Sequence, residues 1–235
     1  MDQLEGNLDL QIFHLQNSRS QRIIWLLEEL QIEYSLHFAS DEKSKELLAS
    51  VAPLKFPTLT FQTEKSFYVL SETSAIADFL VSQPEGILKV PSETQIEFLD
   101  YVFWKNYADA SLMPNVALKQ IFAQIKQKTP LPFRPISWVL QQTFNKAYLD
   151  AEIHGQLKRI NEHLSCNEWI AGSSFTVADI LMWFPLEACN CFTLDMDHYN
   201  HIQRYLKQIQ DRPFFQTALN KGKWSYEEFL HYWNI

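Results

Sequence analysis

The stretch Gln11–Leu30, QIFHLQNSRSQRIIWLLEEL, decides the fold. Leu10, Ile12 and Leu15 come close to strand alternation, and Ile23, Leu26, Leu27 and Leu30 recur at i, i+3, i+4 and i+7, one face of a helix. The stretch therefore reads as a short strand, a polar turn and an amphipathic helix. Asn17-Ser18-Arg19-Ser20 fills the turn. Asn and Ser are cap formers, and they stand where unpaired backbone N–H groups and the positive end of the macrodipole are concentrated. A helix start of this kind attracts anions and offers a way to hold a thiolate, a phosphate or a carboxylate over the end of a sheet. In isolation such a cluster does no more than cap its helix, and the order of elements downstream gives it a second meaning.

Outward from this stretch, Ile32–Phe38 alternates as a second strand, Asp41–Val51 is a short charged helix, and Pro57 leads into a strand at Thr58–Phe61. Ser66–Leu70 returns as a hairpin partner, and a helix follows over Glu72–Leu80. The order β-α-β-α-β-β-α is thioredoxin-like. A redox thioredoxin starts its first helix at a CxxC pair, but here no cysteine precedes position 166. Gln83-Pro84-Glu85-Gly86 breaks the third helix, so the reading is a thioredoxin-like domain over 1–82, a linker over 83–91 and an all-helical domain over 92–235. In the helical part Ser92–Gln95 has the form of a capping box, Pro114 is expected to bend or break its helix, and Phe133-Arg134-Pro135 restarts a helix toward Leu164. Thr176-Val177-Ala178-Asp179 is a second capping box, which concerns folding and not chemistry. The aromatic tail, with Trp224, Tyr226, Phe229, Tyr232 and Trp233, is expected to pack back on the protein.

Composition narrows the functional classes. In 235 residues, 46% are hydrophobic and 20% charged, near globular averages. A net charge of −8 with scattered basic residues argues against nucleic acid or anionic lipid as a partner. No apolar run approaches the roughly 20 residues that span a bilayer, and the acidic Met1–Leu10 lacks the basic region of a secretory signal, so a cytoplasmic protein is expected. Cys166, Cys189 and Cys191 read as reduced thiols. None of the five glycines fits a phosphate-binding loop, and His198 and His201 have no companions at zinc spacing, so no metal is expected.

Several stretches then carry a resemblance. SRSQRIIWLLEELQIEY, APLKFPTL, LSETSAIADFL, FTVADI and Arg212-Pro213 with Ala218-Leu219 resemble, in the correct order, the pattern of the cytosolic glutathione S-transferases, and FWKNYADASLMP resembles a bacterial and fungal branch of that family. The resemblance implies a thioredoxin-like domain followed by an all-helical bundle, glutathione as co-substrate, a small hydrophobic electrophile and a homodimer. It places the donor to the glutathione thiolate at Ser18 first, Asn17 second and Ser20 third, with Arg19 adding positive charge. It implies that Glu72 and Thr73 hold the γ-glutamyl end, that a cis Phe56–Pro57 bond presents the Phe56 backbone to the cysteinyl residue, and that Lys55 meets a carboxylate. Tyr101, Trp104, Tyr107 and Met113 would line the electrophile pocket, although an aromatic stripe at helical spacing is more often core. The expected function is conjugation of glutathione to electrophiles, with peroxide reduction as an extension. A binding or regulatory module without turnover is the alternative.

Overall fold

Gln11–His14 forms β1, and Ile12, Phe13 and His14 are all buried, as in a strand inside a sheet covered on both faces. The computed structural model describes residues 9–50, 55–63, 66–82, 88, 95–192 and 196–233. The chain continues through α1 (Gln21–Leu30), β2 (Ser35–Phe38), α2 (Glu42–Ser50), β3 (Thr58–Gln62), β4 (Phe67–Ser71) and α3 (Thr73–Val81). It then runs through α4 (Gln95–Tyr107), α5 (Met113–Lys128), α6 (Arg134–Phe144), α7 (Asp150–Leu164), α8 (Val177–Cys191), α9 (Asn200–Gln210), α10 (Pro213–Lys221) and α11 (Tyr226–Trp233). Two compact units result: residues 1–89 with 211–226, and residues 90–210 with 227–235. The expected linker, apart from residue 88, and the Ser92–Gln95 capping box, apart from Gln95, lie outside the described residues, as does the turn at Ala52–Leu54.

In the first unit the strands order as β2-β1-β3-β4, with β1 parallel to β2 and antiparallel to β3, and β3 antiparallel to β4. β2 is shorter than its alternation suggested. Gln31 takes a left-handed conformation (φ 55°) and the Ile32 N–H returns to the Leu27 carbonyl at 3.1 Å, so these residues close α1 before they can join a ladder. α1 was expected to bury one face, but Gln21 to Leu27, Glu29 and Leu30 are all buried. The cause is α10, which the sequence reading had grouped with the helical domain and which packs on α1 in the first unit. Phe215 meets Trp25 edge-to-face at 4.8 Å, and Arg212 grips Glu29 with two bonds of 2.7 Å. Gln21 Nε2 donates to the Ala218 carbonyl at 2.6 Å, and a Cβ on Gly222 would fall 2.1 Å from Gln21 Oε1, so a side chain there would have to displace the Gln21 amide.

Among its described residues the second unit has helices and the turns and loops that join them, with one isolated bridge between Trp169 and Gly172. Pro114 does not break the rod. A π-helical turn at Ala108–Leu112 joins α4 to α5, and the proline, which lacks an N–H, sits in the first turn of α5. A second π-helical turn, Asn145–Leu149, joins α6 to α7. The tail divides at its tryptophans: Trp224 belongs to the first unit, while Phe229 and Trp233 are buried against Phe184 at 5.6 and 6.1 Å in the second.

Candidate functional site

The sheet register brings three of the expected stretches together. Phe13 pairs with Thr58 and Thr58 with Ser71, so the end of β1, the start of β3 and the end of β4 share one edge of the sheet. The Asn17–Ser20 turn, Phe56–Pro57 and Glu72–Thr73 adjoin that end of β1, β3 and β4 in the chain. The Phe56–Pro57 peptide is cis. Glu72 is exposed at φ 74°, ψ 119°, a region that costs an L-residue about 1–3 kcal/mol. It stands at the N-terminus of α3 without a side-chain cap, ahead of a nearly buried Thr73. The first N–H groups of α3 are directed away from the helix body, as at any helix start. Lys55 and Arg19 are exposed.

The turn does not cap α1 with a side chain. Ser20, the residue before the helix, is in the helical region itself, and the Gln21, Arg22 and Ile23 N–H groups go to the carbonyls of Ser18, Arg19 and Ser20 at 3.1–3.3 Å. The hydroxyls are thereby released from capping. Ser18 is half-buried; its Oγ donates to the Leu15 carbonyl at 2.7 Å, lies 2.9 Å from Ser20 Oγ and accepts the Ser20 N–H at 3.2 Å. Ser20 is fully buried, with its Oγ 2.6 Å from His14 Nδ1 and accepting the Leu15 N–H at 3.1 Å. Asn17, at φ 53°, a conformation that asparagine tolerates, accepts the Ser225 N–H on Oδ1 at 2.8 Å.

His14 was not singled out in the sequence. Its imidazole is fully buried, and burial pushes it down to about 4 against the pull of the Gly222 carbonyl, 3.1 Å from Nε2. It is neutral at physiological pH. The signal available was a histidine continuing the buried face of a strand already marked by Leu10 and Ile12. Gly222 and Ser225, more than two hundred residues away, carried no signal.

A curated relative, glutathione S-transferase 3 of Schizosaccharomyces pombe, is 31% identical over 212 residues, covering 89% of this chain and 86% of that protein. The chain belongs to the glutathione S-transferase family. The family's N-terminal domain model matches residues 18–83 and its C-terminal domain model residues 125–213. A glutathione S-transferase structure from Actinobacillus pleuropneumoniae is 26% identical, with a TM-score of 0.71, covering 94% of this chain and 99% of that one. A family member from Pseudomonas fluorescens, described with two glutathione bound, shares the fold at 20% identity and a TM-score of 0.68, over 92% of this chain and 94% of that one.

In this glutathione S-transferase family member, the remaining expected residues lie in the helical unit. Tyr101, Trp104 and Met113 are buried, while Tyr107 is half-buried, and that burial raises its phenol above the ordinary range. Arg159, which the sequence reading passed over, lies 4.7 Å above the Phe103 ring and 5.7 Å from that of Tyr107. An arginine 52 residues from Tyr107 gives no sequence cue to that stack. Cys189 and Cys191 are buried, which pushes both thiols up to about 12, so they are unreactive; Cys166 is exposed. Among the described residues no cluster of three or more His, Cys, Asp or Glu side chains is arranged to hold a metal ion, and no helix is long and apolar enough to cross a membrane.

Proposed function

We propose that this protein binds glutathione at the sheet edge of its first unit and activates the thiol for attack on small hydrophobic electrophiles, with Ser18 as the donor to the thiolate. The observation that supports this reading is the register Phe13–Thr58–Ser71, since the serine turn follows β1, Phe56–Pro57 precedes β3 and Glu72–Thr73 follows β4 at that end of the sheet. A free thiol is largely protonated near neutral pH, and each unit of lowered pKa needs about 1.4 kcal/mol of preference for the thiolate. A hydroxyl beside a helix N-terminus supplies that preference by hydrogen bond and dipole together. Ser18 is favoured over Ser20 because Ser20 is fully buried; Asn17, whose amide oxygen accepts the Ser225 N–H, is the second candidate through its amide N–H. Glu72, Thr73 and the α3 N–H groups take the γ-glutamyl end, the Phe56 backbone pairs with the cysteinyl residue, and Lys55 and Arg19 supply positive charge toward the carboxylates. The bound glutathione of the Pseudomonas fluorescens relative supports the choice of ligand.

Tyr107 is the helical unit's contact to the electrophile, since it keeps a partly accessible ring and a polar tip. Peroxides are an alternative class of electrophile for the same thiolate. A homodimer in the cytoplasm completes the reading; the exposed Phe67 and Tyr68 of β4, and Ile96, Leu99 and Phe103 at i, i+3 and i+7 of α4, are apolar surface for a second copy.

The test is conjugation of glutathione to chlorodinitrobenzene by wild type, Ser18→Ala and Asn17→Ala. Loss of one charge-assisted hydrogen bond lowers kcat/KM by roughly 10- to 100-fold in Ser18→Ala. Retention on immobilised glutathione without turnover of any electrophile or peroxide, indifferent to either substitution, establishes the non-catalytic module instead.

A further inference from the structure

We propose that His14 is a positioning residue for thiol activation: through Ser20 it fixes the place of the Ser18 hydroxyl. The inference rests on the reading of Ser18 as thiolate donor and adds a residue to it.

The argument is an inventory of hydrogens. The neutral imidazole has one N–H. The Gly222 carbonyl 3.1 Å from Nε2 can only accept, so the hydrogen is on Nε2 and Nδ1 is an acceptor. Ser20 Oγ, 2.6 Å from Nδ1, therefore donates its only hydrogen to His14. Ser20 Oγ also lies 2.9 Å from the Leu15 carbonyl but has nothing left to give it. That carbonyl is left to Ser18, whose Oγ reaches it at 2.7 Å while accepting the Ser20 N–H, and whose single hydrogen turns from the carbonyl to the sulfur when the thiolate arrives. His14 thus decides which of the two serines holds the Leu15 carbonyl, and so where Ser18 Oγ sits. A thiolate donor is effective only if its place is set before the sulfur arrives.

The surroundings are closed. The Phe38 ring meets the imidazole edge-to-face at 5.6 Å; behind that ring stand Lys223, whose Nζ is 4.3 Å from its centre, and Asp41, whose carboxylate accepts the Phe38 N–H at 2.7 Å. With its ring neutral and enclosed, His14 takes no proton from the thiol; it acts through geometry.

His14→Asn and His14→Gln separate the two ring nitrogens. Asparagine keeps an acceptor at the position of Nδ1 and loses the tie to Gly222; glutamine keeps a donor toward Gly222 and loses the acceptor for Ser20. The pKa of glutathione bound to each full-length variant is read from thiolate ultraviolet absorbance against pH, beside kcat and KM with chlorodinitrobenzene. The proposal expects His14→Gln to raise the bound thiol's pKa by about one unit, a roughly tenfold loss of thiolate at neutral pH, with KM for glutathione unchanged. His14→Asn restores the wild-type value. An unchanged or lowered pKa in His14→Gln overturns the proposal. If the variants do not fold, the ¹⁵N shifts of His14 in the wild-type protein decide, since a hydrogen on Nδ1 overturns it and one on Nε2 supports it. Ser18→Ala separates the two readings: if it leaves the thiol's pKa unchanged, the assignment of Ser18 fails and the proposal with it, whereas a raised pKa there with a silent His14→Gln removes His14 alone.

Discussion

Two corners of this molecule begin a helix with a hydroxyl residue, and they use it in opposite ways. At Thr176, before α8, the side chain accepts the Ala178 N–H at 3.2 Å, and Asp179 reaches back to the Thr176 N–H at 2.7 Å. The same carboxylate accepts the Ile170 N–H at 2.7 Å and the Tyr205 hydroxyl at 3.0 Å, so every oxygen near the helix start serves the fold. At Ser20, before α1, backbone carbonyls serve the helix, and the hydroxyls turn to His14, to Leu15 and to each other. A corner used for folding directs its side chains at its own helix. A corner whose helix is satisfied by the backbone leaves its hydroxyls to other partners, one of them half-buried.

The contrast is broken most severely at Asp179. Asp179→Ala leaves the buried Ile170 and Thr176 N–H groups and the Tyr205 hydroxyl without their acceptor, and is expected to destabilise the helical unit by about 4 kcal/mol in urea unfolding. Its second signature is pH. Burial pushes the Asp179 carboxyl up to about 6 against the pull of its donors, so its contribution is full below the ordinary carboxyl range and is lost as pH rises through about 6.

His14 titrates in the opposite sense. Its imidazole is lowered from 6.5 to about 4, so between those values the unfolded chain binds the proton and the folded chain does not. Stability from this group is full above pH 6.5 and falls by about 3 kcal/mol as pH drops through 4. The difference in unfolding free energy between wild type and His14→Asn, followed across that window, is expected to slope with pH. A flat difference means that the imidazole is already solvated. Smaller again is Thr176→Ala, expected to cost 1–2 kcal/mol with no effect on conjugation.

What was legible in the sequence follows the range of the interactions. The strand, turn and helix of Gln11–Leu30, the hairpin and the Thr176–Asp179 box are decided by neighbours a few residues apart, and periodicity or capping chemistry displays them. The burial of α1 on nearly every side depends on α10, some 190 residues later, and the partners of His14 and Asn17 are Gly222 and Ser225. No local pattern announces such contacts. Arg212-Pro213, with Ala218-Leu219, is visible as part of the family's pattern, yet the pairing of Arg212 with Glu29 needs the fold. The turn is displayed by the sequence, but that Ser20 is the buried serine, beside His14, and Ser18 the half-buried one is not.

The smallest expected change in stability is the most informative. Ser18 Oγ is half-buried and holds one carbonyl and the Ser20 N–H in a turn partly open to solvent, so Ser18→Ala is expected to cost no more than about 1 kcal/mol. Conjugation in the same variant is expected to fall by one to two powers of ten. Thr176→Ala has the reverse profile, with more stability lost and turnover intact, so the pair forms a crossed comparison in which neither folding damage nor assay conditions can imitate the result. Melting curves and initial rates on the two proteins decide it. If Ser18→Ala proves as costly to the fold as Thr176→Ala, the serine corner is a folding device like the threonine one, and the accessible hydroxyl loses its claim to the thiolate.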